Sequence, residues 1–300
     1  MSLPDLAELV ALRGAAHGLS LHAHRPALAQ LQGSHRSAQR GRGLEFEEVR
    51  PYAAGDDARA IDWRVTARRG RPHTKLFREE RERPVWLLAD LHAGLYFGSR
   101  RQLKSALLLR AAALLAWVAV LGGDRLGALI AGGREPPRIF PPRGREAGVL
   151  PVLDALVDAQ PRAPAEPAAD SLNRALDALR PLLHPGSLVL VLSDFSGLDA
   201  RTEAALAALT PHCECRLLAL TDPLERSGLP PGLYRAGLPG RLAWLDGARS
   251  QRAWQDKWAA RQQRLDALAR RLALPLTRLD TADAVTGTLP PLLRETAWAA

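Results

Sequence analysis

Two uninterrupted apolar runs, each ending in an aspartate, constrain this chain most: Val85–Asp90 (VWLLAD, after Pro84) and Ser187–Asp194 (SLVLVLSD). A strand with one wet face alternates apolar and polar residues. A short run that is apolar throughout fits a strand buried on both faces, as parallel sheets bury theirs. Between and after the runs the pattern turns helical. Arg101–Leu121 reads as a long apolar helix, Arg125–Ala131 as a strand ended by Gly132-Gly133, and Arg138–Phe140 as an edge strand. Glu146–Gln160 and Ser171–Leu183 read as helices, the second with Leu172, Leu176 and Leu179 on one face. A helix at Arg201–Leu209, a strand at Glu214–Thr221 and a loop or hairpin insertion at about 222–246 follow. A long amphipathic helix (Ala248–Leu272), a last strand (Pro275–Leu279) and a closing helix (Leu289–Trp298) complete the pattern. Strands alternating with helices predict an α/β fold: a doubly wound, mostly parallel sheet with helices on both faces.

The 300 residues suffice for one large core and a smaller appendage. Residues 85–300 are assigned to the α/β domain, and residues 41–84 to a β-rich subdomain with one short helix. Asp56 is expected to cap that helix, with Ile61 and Val65 one turn apart on its face. Residues 1–40 hold a short helix at Asp5–Arg13 and then a polar segment rich in His and Arg. They offer little core and are expected to form a partly disordered N-terminal arm.

The formal net charge of +9 raises the question of nucleic acid, but lysine occurs only at Lys75, Lys104 and Lys257. The remaining basicity is arginine, much of it beside carboxylates, where bidentate pairing is the expected use. No helix-turn-helix, zinc finger or aromatic-studded basic sheet motif is evident, so no nucleic-acid partner is expected. The two cysteines, Cys213 and Cys215, are too few for a zinc site and do not form a redox C-x-x-C, which suits a reducing compartment. No signal-peptide pattern opens the chain. The most apolar run, Ala111–Leu121, falls short of the roughly 20 residues of a membrane span, and Arg110 interrupts its extension. A buried helix, no membrane span and a cytoplasmic location are the expectation. The P-loop, dinucleotide, H-E-x-x-H and G-x-S-x-G patterns are all missing.

Residues 41–90 interleave charges of both signs with the anchors Phe46, Tyr52, Ile61, Trp63, Leu76 and Phe77. Gly43-Leu44-Glu45-Phe46, Arg50-x-Tyr52, Gly55-Asp56-Asp57, Ile61-Asp62-Trp63-Arg64 and Thr66-Ala67-Arg68 resemble the signature of the bacterial domain of unknown function 58 family. Gly123-Asp124-Arg125-Leu126-Gly127, Asp222-Pro223-Leu224-Glu225 and Leu229-Pro230-x-Gly232 agree with it. An acid after the first strand of the sheet and another after the fourth is similar to a von Willebrand factor A domain. The resemblance implies a von Willebrand factor A-like sheet preceded by the β-rich subdomain. It also implies partner binding at a metal-ion-dependent adhesion site and work beside a MoxR-type AAA+ ATPase. The charged block, Glu45 to Arg68, is read first as a structural Arg–carboxylate lattice, second as a docking surface and third as an active site.

The adhesion-site pattern D-x-S-x-S becomes Asp90-Leu91-His92-Ala93-Gly94 here. Both serines are replaced, one by a nitrogen ligand poorly suited to Mg²⁺ and one by no side chain at all. The threonine of T-x-L-x-x-A-L falls at Asp170, and the fourth-strand aspartate is Asp194. Three carboxylates together would raise one another's pKa unless a cation or arginine sat among them. Two readings follow. In the favoured one the site is degenerate: Asp170 caps a helix, Asp90 and Asp194 bond to backbone amides, and no cofactor is held. In the other, Asp90, His92, Asp170 and Asp194 take a divalent cation, Mg or Mn before Zn. The function expected is a non-enzymatic interaction or adaptor protein. The alternative is a metal-dependent hydrolase using the same acids, with His92 as ligand or base.

Overall fold

The computed structural model describes residues 2–21, 44–52, 61–79, 83–132, 136–166, 168, 170–238 and 241–293. The chain divides into two compact units, Ser34–Glu82 and the rest (Met1–Gly33 with Arg83–Ala300).

In the smaller unit, β1 (Leu44–Pro51) pairs antiparallel with β2 (His73–Glu79), with a register shift between Phe46 and Glu48. A short helix, Trp63–Arg69, lies between them in the sequence. Its cap is Asp62, whose carboxylate accepts from the Arg64 and Val65 amides at 3.0 and 3.2 Å. Gly70 ends it at φ 68°, a conformation glycine adopts without steric cost. The expected Asp56 cap is therefore displaced to Asp62, and Asp56 itself, with Gly55 and Asp57, lies outside the described residues. Ile61 precedes the helix rather than lining its face. Trp63 is not a buried anchor: as the first helical residue it is 69% exposed. Arg64 and Arg68 are exposed too, and Glu45, Phe46 and Arg50 lie on β1.

The larger unit is built on six strands: β3 (Pro84–Asp90), β4 (Arg125–Ala131), β5 (Arg138–Arg143), β6 (Leu188–Ser193), β7 (Glu214–Thr221) and, beyond a two-stranded hairpin of β8 (Leu233–Leu238) and β9 (Arg241–Asp246), β10 (Leu276–Asp280). Their spatial order is β10-β7-β6-β3-β4-β5, parallel except for the antiparallel edge strand β5. This is the doubly wound α/β sheet read from the apolar runs. The order reverses between the neighbours β3 and β6, so their carboxyl ends flank the crevice where such sheets bind ligands.

Alternate residues of the central strands serve two cores. Val85, Leu87, Leu188 and Leu190 pack on one face, and Trp86, Leu88, Val189 and Val191 on the other. The larger unit's helices, in chain order, are α1 (Leu6–Ala11), α2 (Arg13–Ala16), α3 (Lys104–Leu121), α4 (Glu146–Ala159), α5 (Ser171–Leu179), α6 (Ala200–Leu209), α7 (Pro223–Ser227), α8 (Gly247–Arg271) and α9 (Val285–Leu292). The 18-residue α3 is apolar on nearly all sides (mean hydropathy 1.8) and by length and composition could cross a membrane. It starts before Ala111 because Arg110 lies within it; 83% of the helix is buried among α1, α2, α4, α9 and the sheet.

Residues 2–21 contribute to the core, against expectation, and the rest of the expected arm lies outside the described residues. Leu9, Ala16, Leu19 and Leu21 are buried in the α3 cluster. The Trp117 indole donates to the Leu9 carbonyl at 3.2 Å, and Arg110 donates to Glu8 at 2.5 Å. Leu6, Leu9 and Val10 follow helical spacing, so the apolar stripe was visible, but the polar segment after it hid its use. Leu9→Ala is expected to cost about 2–5 kcal/mol in urea denaturation, as other buried truncations do; a loose arm would show almost no change.

Candidate functional site

Asp90 ends β3 and Asp194 follows β6, so the strand register brings them together at the order reversal. Both are buried, at 3% and 7% exposure. The turn after β6 is tight. Phe195 sits at φ 51°, a conformation that costs a non-glycine residue about 1–3 kcal/mol and is stored where surroundings demand it. Here the demand is hydrogen bonding. The Phe195 amide donates to Ser193 Oγ at 3.0 Å, Ser193 Oγ donates to Asp90 Oδ2 at 2.6 Å, and the Ser196 amide donates to Asp194 Oδ1 at 2.9 Å.

His92 reaches the same carboxylate. The Gly94 N–H donates to His92 Nδ1 at 3.1 Å, so Nδ1 is an acceptor and Nε2 carries the proton it donates to Asp194 Oδ1, 3.3 Å away. The other Asp194 oxygen accepts from the ammonium of Lys104 at 2.7 Å. Lys104 is the first residue of α3, only 2% exposed, and its Nζ also donates to Glu225 Oε1 at 2.8 Å. Glu225 is fixed in turn. Its second oxygen accepts from the Asp222 amide at 3.2 Å in a capping box that starts α7. Asp222 accepts from the Ser99 amide at 2.8 Å, the Leu224 amide at 2.9 Å and the Thr281 hydroxyl, tying the tips of β7 and β10 to the loop before α3.

Charge explains the arrangement. Burial would raise the Asp194 pKa, but the Lys104 charge and the His92 hydrogen bond outweigh it and hold the carboxyl well below the usual range. Burial would lower the Lys104 pKa, but Asp194 and Glu225 outweigh it and raise it above its ordinary value. His92 behaves likewise: burial lowers its pKa, while the hydrogen bond to Asp194 and the charges of Asp194 and Asp90 raise it on balance. Asp90 is pushed up by burial against the pull of His92 and Ser193.

The residues present do not fit a hard divalent cation, which takes several oxygen ligands. Both Asp194 oxygens are filled, one by Lys104 and one by His92 and Ser196. His92 Nδ1 is taken by Gly94. Among the described residues in this corner, Asp90 Oδ1 and Ser171 Oγ remain, close enough for Ser171 to lower the Asp90 pKa and too few to hold such an ion. The internal ammonium stands where the sequence reasoning asked for a cation.

Asp170 does not join this site. It sits at the N-cap position of α5, as one reading expected, but its side chain makes no cap hydrogen bond. Its carboxylate is 50% exposed and pairs with Arg201 at 3.0 Å. The neighbouring Ser171, buried and close enough to Asp90 to lower its pKa, supplies the oxygen instead. Asp194 accepts a backbone amide as expected; Asp90 accepts the Ser193 hydroxyl. Sequence reasoning missed Lys104, Glu225, Ser171 and Ser193. Lys104 had a signal: it is one of three lysines in an arginine-rich chain, at the head of the most apolar helix. Cys213 and Cys215 are free and buried, with thiol pKa values pushed by burial to about 11 and about 12.

The model of the family described as "Protein of unknown function DUF58" matches residues 48–236. The chain belongs to this family. Its similar relatives include the uncharacterized proteins Rv1480 of Mycobacterium tuberculosis and Mb1516 of Mycobacterium bovis. Each is 36% identical over 195 residues, which is 65% of this chain. The match spans 60% of the length of these relatives. Two solved structures show a distant likeness. One is the conserved hypothetical protein BatB from Bacteroides thetaiotaomicron, with TM-score 0.44 and 12% identity over 70% of this chain and 96% of that one. The other is an aerotolerance-related membrane protein from Bacteroides fragilis, with TM-score 0.40 and 14% identity over 69% and 96%.

Lys104→Met leaves Asp194 buried and Glu225 half-buried with their counter-charge removed, and the expected loss in chemical denaturation is about 3–5 kcal/mol. The acid limb gives a second test. A carboxylate with a lowered folded pKa contributes stability above its unfolded pKa and loses it as pH falls through the folded value. Stability of the wild type is therefore expected to fall as the pH drops below 3.8, the ordinary aspartate value. In Asp194→Asn that part of the slope should vanish, measured by urea midpoints across the acid range.

Proposed function

We propose that this DUF58 protein is a non-enzymatic interaction or adaptor protein whose strand-tip crevice is neutralised from within, so that partner binding does not need a divalent cation. The carrying observation is the Lys104 ammonium, seated 2.7 Å from Asp194 and 2.8 Å from Glu225. Its ATPase partner, of the MoxR-type AAA+ class, follows from the family resemblance, as does assembly or chaperone-like work. Exposed apolar side chains on the hairpin insertion, Leu233, Leu242 and Trp244, support a surface made for protein contact. Arginines paired to carboxylates, such as Arg264 and Arg271 on Glu203 and Arg278 on Asp266, support a reading without nucleic acid. The burial of α3 supports one without a membrane span, in the cytoplasm.

The hydrolase reading asks for a free base or a cation seat. Both His92 nitrogens are engaged and Asp194 is held ionised by Lys104, which supports the non-enzymatic reading and leaves Asp90 as the base a hydrolase would have to use.

Calorimetry with Mg²⁺, Mn²⁺ and Zn²⁺ on the wild type is expected to show no site-specific heat. Micromolar binding abolished in Asp194→Ala would contradict the cation-free reading. For the partner, a pull-down with a MoxR-type ATPase should capture a complex in at least one nucleotide state; capture in none would remove that assignment.

A further inference from the structure

The short helix of the smaller unit, Trp63–Arg69, is anchored from one side only. The His73 amide, at the start of β2, donates to Thr66 Oγ1 at 3.0 Å, and the Asp62 amide donates to the His73 carbonyl at 2.8 Å. A helix turns about 100° per residue, so the side opposite Thr66 carries Arg64 and Arg68, with Trp63 and Ala67 beside them. All four are exposed, Trp63 at 69%.

From Trp63 to Arg71 the chain holds four arginines and no acid. Among the described residues, the guanidinium groups of Arg64, Arg68, Arg69 and Arg71 make no hydrogen bond or ion pair. Arginines of the larger unit behave otherwise: Arg83, Arg110, Arg201 and Arg216 each hold a carboxylate. Arg68 and Arg69 lie in the last turn, where the helix dipole favours a cation. Arg64 has no such reason. It lies in the first turn, where the dipole disfavours it, and one turn from Arg68, a like charge. The indole beside this pair is left in water. Trp and Arg are the side chains that carry much of the binding energy at protein interfaces.

We propose that this face is a docking site for an acidic segment of a partner protein, with Arg64 and Arg68 taking two of its carboxylates and Trp63 with Ala67 taking an apolar residue next to them. A face of cations with no acid among them selects its occupant by charge, and guanidinium groups pair with carboxylates through two parallel hydrogen bonds. The extent of the face favours a protein segment over a polynucleotide. The helix is roughly 10 Å long, short for the run of phosphate contacts from which polynucleotides gain affinity. The cationic run is also local, since β1 of the same unit carries Glu45, Glu47 and Glu48. This surface deepens the adaptor reading, on which it rests for the occupant being a protein, with a second contact on the smaller unit.

The test is fluorescence anisotropy of the full chain with the labelled peptide Gly-Glu-Asp-Leu-Glu-Asp-Leu-Gly, its Gln/Asn counterpart and a short labelled oligothymidylate at physiological salt. The acidic peptide is expected to bind saturably, about tenfold or more tighter than its neutral counterpart. Arg64→Gln combined with Arg68→Gln should weaken it about tenfold, and Trp63→Ala by a similar factor. Both sets of substitutions fall on exposed positions and should leave the far-ultraviolet circular dichroism unchanged. Lys257→Gln removes an exposed cation of the larger unit and should change nothing, which separates this face from the net charge of the chain. Equal binding of the two peptides would overturn the proposal. So would a loss on Lys257→Gln as large as on the arginine pair, or an oligothymidylate held more tightly than the acidic peptide. None of these substitutions touches Lys104 or Asp194, so a failure here is distinct from a failure of the strand-tip reading, which stands or falls on its metal titration and pull-down.

Discussion

The ammonium of Lys104, clasped between Asp194 and Glu225, is the contact on which the top of this fold depends. It opens the central helix α3, sits beyond the carboxyl ends of β3 and β6, and closes onto the capping box that begins the hairpin insertion. Three parts of the larger unit therefore converge on one charge. Pairs of this kind set geometry more than they add net stability, because the desolvation of both partners offsets most of the attraction. Their removal is costly for the same reason.

That contact also resolves the problem the acids pose. Carboxylates at the order reversal of a doubly wound sheet repel unless something positive lies among them. A divalent ion would have done this with oxygens from Asp90, two serines and a threonine. His92 and Gly94 stand where the serines would be, and the fold instead brings its own cation, Lys104, while His92 gives Asp194 a hydrogen bond from Nε2. The strained Phe195 and the Ser193–Asp90 bond are local consequences of packing these groups together at the strand tips.

Much of this was legible in the sequence, for physical reasons that differ by element. The parallel sheet was legible because strands buried on both faces read as near-continuous apolar runs, as β3 and β6 do up to their last residue, whereas β7 carries Glu214 and Arg216 paired to each other. The loss of both serines was legible because a ligand's chemistry is fixed by its residue type. Two things were not. Asp170 shared a motif position but not a location, since one residue of rotation at the start of α5 points it at Arg201 and leaves Ser171 inside. The Lys104–Glu225 pairing joins residues 121 apart, a contact that no local pattern encodes. The short helix of the smaller unit is capped by Asp62, while Asp56 lies outside the described residues.

The most direct measurement of the central claim is the titration of the Lys104 ammonium itself. With three lysines in the chain, side-chain nitrogen and carbon resonances of ¹³C,¹⁵N-lysine-labelled protein can be assigned by Lys75→Arg and Lys257→Arg substitutions. One ammonium should stay protonated to a pH above its ordinary titration range, exchange slowly with water, shift in Asp194→Asn, and ignore added Mg²⁺. A Lys104 that titrates like the other two, or that is displaced by Mg²⁺, would contradict the account.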